Sequence, residues 1–247
     1  MATLPLVPNL DTENPDDKEL VKGAQKHGLT EERREKVRQK ALDEIPWWYS
    51  PYAHLASTTG IGLVVLVASI VGISRATFRW TDALVIPLVV AFGNFFEWAV
   101  HRDVLHKRRW PVEVIYDRHT PMHHMVYIEE AMEMRTVKEF RLILIPAAGV
   151  LGIVLATAPP AFLIAHFWSQ AAGWLFLLSA SLFMVSYEVL HLCYHAPKNS
   201  FIGRRKVIAL LRAHHARHHD PRLMQRYNFN VTVPIFDVVM GTMAPKR

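Results

Sequence analysis

Residues 171–195 read AAGWLFLLSASLFMVSYEVLHLCYH, and this stretch decides the fold. Its first part, Ala171–Leu190, is apolar and long enough to cross a hydrocarbon core at a helical rise of about 1.5 Å per residue. Its last five residues carry two imidazoles, His191 and His195, four apart and therefore on one helical face. Ionisable groups at the edge of a membrane span are costly and point to function.

Three other apolar stretches precede it: Ala56–Ile73, Ala83–Val100 and Leu142–Ala165. Pro146, Pro159 and Pro160 predict a kinked or broken third stretch. The few residues between the third and fourth stretches predict a tight antiparallel hairpin, with a re-entrant hairpin over 142–190 as the alternative. The chain of 247 residues suits one substantial domain. Half of it is hydrophobic, yet mean hydropathy is only +0.12, because the residues are segregated. Residues 1–50 are polar, 53–100 and 142–195 are apolar, and the rest is polar and rich in histidine. The expectation is an all-α integral membrane protein of about four transmembrane helices. Residues 1–50 form a cytoplasmic N-terminal arm with a short helix, and 51–247 form the membrane domain.

The opening MATLPLVPNLDTENPDD has no basic region and no apolar run, so it is not read as a cleavable signal. Residues 1–29, with Pro5, Pro8 and Pro15, read as a flexible arm. Thr30 is placed to cap a helix with Glu31 and Glu32 in its first turn, ending by Pro46. A solvated charged helix is the expectation there, an electron-donor dock or surface anchor the alternative. Trp47, Trp48, Tyr49 and Tyr52 then read as an interfacial aromatic belt.

The formal net charge is +6 with neutral histidines. Such a charge suits nucleic acid or anionic lipid headgroups, and the apolar stretches favour membrane lipids and no nucleic acid. Cys193 is the single cysteine, which excludes an intrachain disulfide and a thiolate cluster. Lys107, Arg108, Arg109, Arg118, Arg135, Lys138 and Arg141 crowd the middle segment, and more basic residues follow from Lys198 to Arg247. The loop near 74–82 has only Arg75 and Arg79, and that near 166–170 has none. Positive-inside logic places both termini and residues 101–141 in the cytoplasm.

The 14 histidines are the anomaly. Besides His191 and His195, they gather as His101 and His106, as His119, His123 and His124, and as His214, His215, His218 and His219. His119 and His123 are four apart, and His215, His218 and His219 can all point one way on a helix. His101 and His106 are five apart, about 140° around an ideal helix. They converge only if the helix ends or bends, or if they straddle two metals. Imidazole binds iron, zinc or copper through one ring nitrogen. Ten such ligands are too many for one ion and suit two, with about four or five nitrogens each. The other ring nitrogen needs an orienting acceptor, for which Glu97, Asp103, Glu188 and Asp220 are candidates by position. His27, His54 and His166 stand alone and read as exposed or interface histidines. In the double pair, His215 is favoured as ligand and His214 as a supporting or substrate-facing group.

Taken in order, HxxxxH at 101–106, HxxxHH at 119–124, HxxxH at 191–195 and HxxHH at 215–219 resemble the fatty acid hydroxylase/sterol desaturase superfamily. Glu97-Trp98 before His101, Tyr187-Glu188 before His191 and the 213–219 run are similar to its fatty acid 2-hydroxylase branch. So is the tail from Asn228 to Thr242. The second cluster has three residues before its double histidine where that branch has two, and Phe236 stands where Trp is usual. The resemblance implies a four-span helical domain under a cytoplasmic helical cap. It implies metal ligands at His101, His106, His119, His123, His124, His191, His195, His215, His218 and His219, with Asn228, Asn230 or Asp237 organising the site or the cap. It further implies two iron ions and O₂, since C–H oxidation needs a redox metal and zinc, though able to substitute, does not cycle. The expected substrate is lipid-like, a fatty acyl chain, reached laterally between the apolar helices. No cytochrome b5 domain is fused, so a separate ferredoxin or cytochrome b5 type donor is expected, in a bacterial inner membrane. Desaturation is the alternative within the superfamily, and a metal-binding or transport protein the alternative outside it.

Overall fold

The computed structural model describes residues 30–245. Its helices are α1 (Glu31–Asp43), α2 (Pro51–Arg75), α3 (Val85–Val100), α4 (Glu113–Arg118), α5 (His124–Val126), α6 (Phe140–Ile143), α7 (Ala147–Phe167), α8 (Gln170–His195), α9 (Lys206–His218) and α10 (Ile235–Val239). Among the described residues there is no strand, only an isolated bridge between Ile128 and Ala131. His27 and the proline-bearing arm lie outside the described residues.

Among the described residues, four helical stretches are long and apolar enough to cross a membrane: Pro51–Arg75, Trp80–Leu105, Ala147–Phe167 and Gln170–His195. At most 33% of the apolar window of any of them is buried in the protein, so the remaining surface requires an apolar solvent. The protein is an integral membrane protein. α8 is the hub, packed against α2, α3 and α7. Apolar side chains gain nothing by leaving lipid for protein, so close approach of small residues holds such helices together. At Gly173 on α8, a Cβ would stand 2.8 Å from the Ala161 carbonyl oxygen of α7, so only glycine allows that crossing.

One proline expectation needs correction. Pro146 does not kink a span: it precedes the first residue of α7, where its fixed φ suits a helix entry. Leu142 therefore belongs to the cap, not to the third span. Pro159 and Pro160 sit inside α7 without breaking it. The hairpin turn at Trp168 and Ser169 is as tight as expected. There Ser169 Oγ caps α8 at the Ala172 amide (3.0 Å) and donates to Asp82 (2.8 Å), while Arg79 donates to the Trp168 carbonyl (2.8 Å).

At the opposite end, the cap has its own core of Val37, Ala41, Met122, Met125, Val126, Tyr127, Met132, Leu142 and Ile143. Thr30 caps α1 as expected. The helix is not a solvated one, however: Arg34, Val37, Arg38 and Ala41 are buried. Its high charge conceals a narrow apolar stripe, and Arg38 ends on Glu139, which is fully buried. Glu139 also accepts from the Tyr127 hydroxyl (2.7 Å) and from the amides of Arg135 (3.0 Å) and Thr136 (3.2 Å). Removing one member of a buried pair strands the other charge, at a cost of about 3–5 kcal/mol. Arg38→Ala should therefore lower the thermal unfolding temperature in detergent, whereas exposed Lys36→Ala should leave it unchanged.

Candidate metal centre

The site begins where α3 runs out. Its last turn opens into a π-helical turn, His101–Leu105. A π turn closes i to i+5, so residues five apart come round to one face. His101 and His106 consequently stack, with ring centroids 5.1 Å apart. The helix ends between them, at Leu105, as one of the alternatives required, and they do not divide between two groups. A second π turn, His119–His123, does the same for His119 and His124, whose Nε2 atoms are 3.0 Å apart. His119 and His123 do stack, at 5.4 Å, but they belong to different groups. On α9 the α-helical spacing holds, but the three histidines do not point one way. His215 and His219 lie together, with Nε2 atoms 3.1 Å apart, while His218 faces His106.

Among the described residues, the result is two groups of five. His101, His106, His119, His124 and His218 form the first, and His123, His191, His195, His215 and His219 the second. Within each, one ring nitrogen per residue lies within 4.8 Å of the others, and all ten residues are buried. The groups adjoin: the His124 and His219 rings stack at 4.2 Å. Nε2 atoms approach to 2.9 Å between His101 and His119 and between His106 and His218. With metal–nitrogen bonds of about 2.0–2.1 Å, two ligands at right angles stand about 2.9 Å apart.

The outer ring nitrogens explain the inner ones. Nδ1 donates to a backbone carbonyl from His101 (Phe229), His123 (Leu142, 3.0 Å), His195 (Met132, 2.8 Å), His218 (Tyr227, 2.9 Å) and His219 (Tyr127, 2.7 Å). A carbonyl only accepts, so the proton sits on Nδ1 and each Nε2 keeps a lone pair. Thr120 donates to the Leu105 carbonyl (2.7 Å), so its oxygen accepts from His106 Nδ1 (3.1 Å). The Nε2 atoms of His106 and His218 thus face each other lone pair to lone pair. Burial first, and the neighbouring imidazoles second, hold both well below the usual histidine range, so neither carries a second proton. The Nε2 atoms of His123, His191 and His195 have no hydrogen-bond partner. Converging unshared lone pairs in a dry site are what a cation requires, and the residues fit two borderline metal ions.

Glu97 does not act as expected, directly on a ring. Glu97 accepts from the amides of Val231 and Thr232 (2.8 Å) and from the Thr232 hydroxyl (2.6 Å). Asp237 accepts from the amides of Phe229 (2.9 Å) and Asn230 (2.8 Å) and from His214 Nε2 (3.1 Å). Together they hold the segment whose Tyr227 and Phe229 carbonyls orient His218 and His101. Asn228 donates to the His214 carbonyl (2.9 Å), and Asn230 to the Asn94 carbonyl (2.9 Å). His214 belongs to neither group. Asp103 is a correction: it pairs with Arg102 and Lys107 (2.6 Å each) at the surface, because the π turn points it outward. Glu188 accepts from the Ile145 amide (3.1 Å), and Asp220 pairs with Arg222 (2.6 Å). His54 bridges Tyr49 (2.9 Å) and the Ile145 carbonyl (3.2 Å), and His166 is exposed. Sequence reasoning missed Thr120 and Asn94. A polar residue within the second histidine cluster, and an amide in an otherwise apolar helix three residues before Glu97, were the available signals.

Four membrane-length helices, two of which carry histidines of two adjoining five-histidine groups at one end, define a helical membrane protein with a site that could hold metal. The family model for fatty acid hydroxylase matches residues 86–242, and the chain belongs to that family, one of oxidoreductases. No curated protein and no solved structure matches it.

Burial also holds His119, His123, His124, His215 and His219 well below the usual range. In the unfolded chain each takes up a proton near pH 6.5, but in the fold it resists. Their contribution is thus complete above that pH and is lost as pH falls below it. The unfolding temperature of metal-free protein should be level at about pH 7–8 and decline steadily from about 6.5 towards 5. A level profile through that range would contradict the burial of these rings.

Proposed function

We propose that the protein is a membrane di-iron oxygenase that hydroxylates a fatty acyl chain with O₂ and two electrons. The observation that carries this reading is the pair of adjoining groups, five buried imidazoles each, at the ends of apolar spans. The ten histidines of the two groups would be the ligands. Iron bound there would supply the oxidising power for an unactivated C–H bond, which no side chain has.

The chain's own residues do the rest. Carbonyls of Leu142, Met132, Tyr127, Tyr227 and Phe229 fix the ring orientations, and Thr120 fixes His106. Protons held on Nδ1 keep the inner nitrogens available as ligands. The buried centre excludes bulk water, which limits wasteful release of oxidising equivalents. An acyl chain would arrive laterally between the apolar helices, its reactive carbon at the bilayer boundary. A separate ferredoxin or cytochrome b5 type protein would bring electrons to the cap. By the positive-inside rule the cap and both termini face the cytoplasm, in a bacterial inner membrane.

Purified protein loaded with iron should hold two ions per chain by elemental analysis, and a His218→Ala, His219→Ala variant, which removes one ligand from each group, should lose most of both. Lipid mass spectrometry of a host expressing the chain should show acyl species with one added oxygen that the variant host lacks. Acyl species lacking two hydrogens instead would assign desaturation. Identical lipids in the two hosts would overturn the oxygenase reading.

A further inference from the structure

We propose that residues 230–243 form a re-entrant loop immersed in the acyl-chain region of the bilayer, alongside α3. The proposal rests on the four long helices spanning the membrane.

The depth follows from the register. Asp82, locked to Arg79 and Ser169, marks the end of the spans remote from the cap. Exposed Phe78, Trp80, Phe167 and Trp168 surround it, as aromatic belts do at an interface. From Asp82 to His101 is 19 residues of helix, about 28 Å of rise, close to the 30 Å of a hydrocarbon core. The metal centre therefore lies at the cap-side boundary. Asn94 lies seven residues, about 10 Å, inside it.

The loop is tied at that inner level. Asn94 Nδ2 donates to the Val233 carbonyl (2.7 Å), its oxygen accepts from the Phe236 amide (3.1 Å), and Phe95 packs on Phe236 at 5.2 Å. The loop then climbs back: Trp98 Nε1 donates to Thr242 Oγ1 (2.9 Å), and the Asn228 amide closes the root on the Thr242 carbonyl (2.8 Å). It leaves the cap, descends about two turns of α3 and returns.

Its polarity is inverted as lipid demands. Non-helical backbone at membrane depth persists only where protein satisfies its polar groups. Here Asn94, Glu97, Asn230 and Asp237 supply those partners on the inner side, and all four are buried. The outer side shows Val233, Ile235, Val238, Val239, Met240 and Met243, each more than 40% exposed. Asp237 is the one charged residue between 228 and 245, and it is fully buried. Beside it α3 exposes Leu88, Phe92 and Phe96, so the two elements add to one apolar surface, with Arg102 over Trp98 only at the cap-side root of the loop. That continuity commits the occupant to lipid chains rather than to water or a second copy of the protein.

The test uses full-length protein in phosphatidylcholine/phosphatidylglycerol liposomes, with single nitroxide labels on a Cys193→Ser background. Labels replace Val238, Val239, Leu88 as the span reference and Lys36 as the aqueous reference. The labels at 238 and 239 should relax readily with oxygen and respond several-fold less to chromium oxalate than the label at 36. Chromium access equal to that at 36, or spin–spin broadening between copies, overturns the proposal. If the label at 88 also behaves as aqueous, the spanning reading itself fails, so the two failures are distinguishable. A diazirine-bearing phospholipid provides a check on unaltered protein. Crosslinks should fall within the 230–243 peptide, and their absence there with labelling of α3 present overturns the loop's immersion. Neither readout depends on catalysis.

Discussion

The structure depends on an unfavourable arrangement: imidazole lone pairs directed at one another in a dry interior. His106 and His218 stand Nε2 to Nε2 at 2.9 Å with both Nδ1 protons committed outward. Left alone, such a cluster repels itself, and protonation, the usual relief, is blocked by burial. A cation resolves both problems, so metal binding and stability of this region are one thermodynamic quantity. The surrounding fold supplies the rigidity that keeps the rings converged.

That rigidity comes mainly from backbone. Five of the ten rings lean on main-chain carbonyls, and these carbonyls belong to two different supports. The first group leans on the 227–229 segment, which Glu97 and Asp237 hold from below. The second leans on Tyr127, Met132 and Leu142 in the cap, where Glu139 anchors Tyr127 through its hydroxyl. Arg38 of α1 reaches the same carboxylate, so the N-terminal helix is connected to the second centre through three side chains. The carboxylates set the loops, the loops present carbonyls, and the carbonyls aim the imidazoles. The same economy governs the membrane spans, where glycine contacts such as Gly173 on Ala161 set helix spacing.

Much of this was legible beforehand. Apolar length alone located the four spans to within a few residues, because a hydrocarbon core imposes a minimum that no soluble helix must meet. The ten histidines were legible because imidazoles so dense beside apolar spans have few other uses. Less legible was α1, whose mean polarity hid a stripe of Val37 and Ala41 beneath charged neighbours. The carboxylates misled for a related reason. Proximity in sequence suggested Asp103 for its neighbours' rings, yet a helix turn sends adjacent residues to different faces.

By itself, then, the sequence determined which residues are ligand types and that two of their four clusters sit at span ends. These follow from composition and spacing, which are properties of the chain. Only the tertiary structure decided how the ten divide five and five. That division turns on two π turns, which change residues per turn from what any spacing rule assumes, and so exchange the partners of His119. It also decided which atoms orient the rings, because backbone carbonyls are identical in every residue and become particular only when the chain brings them to a place.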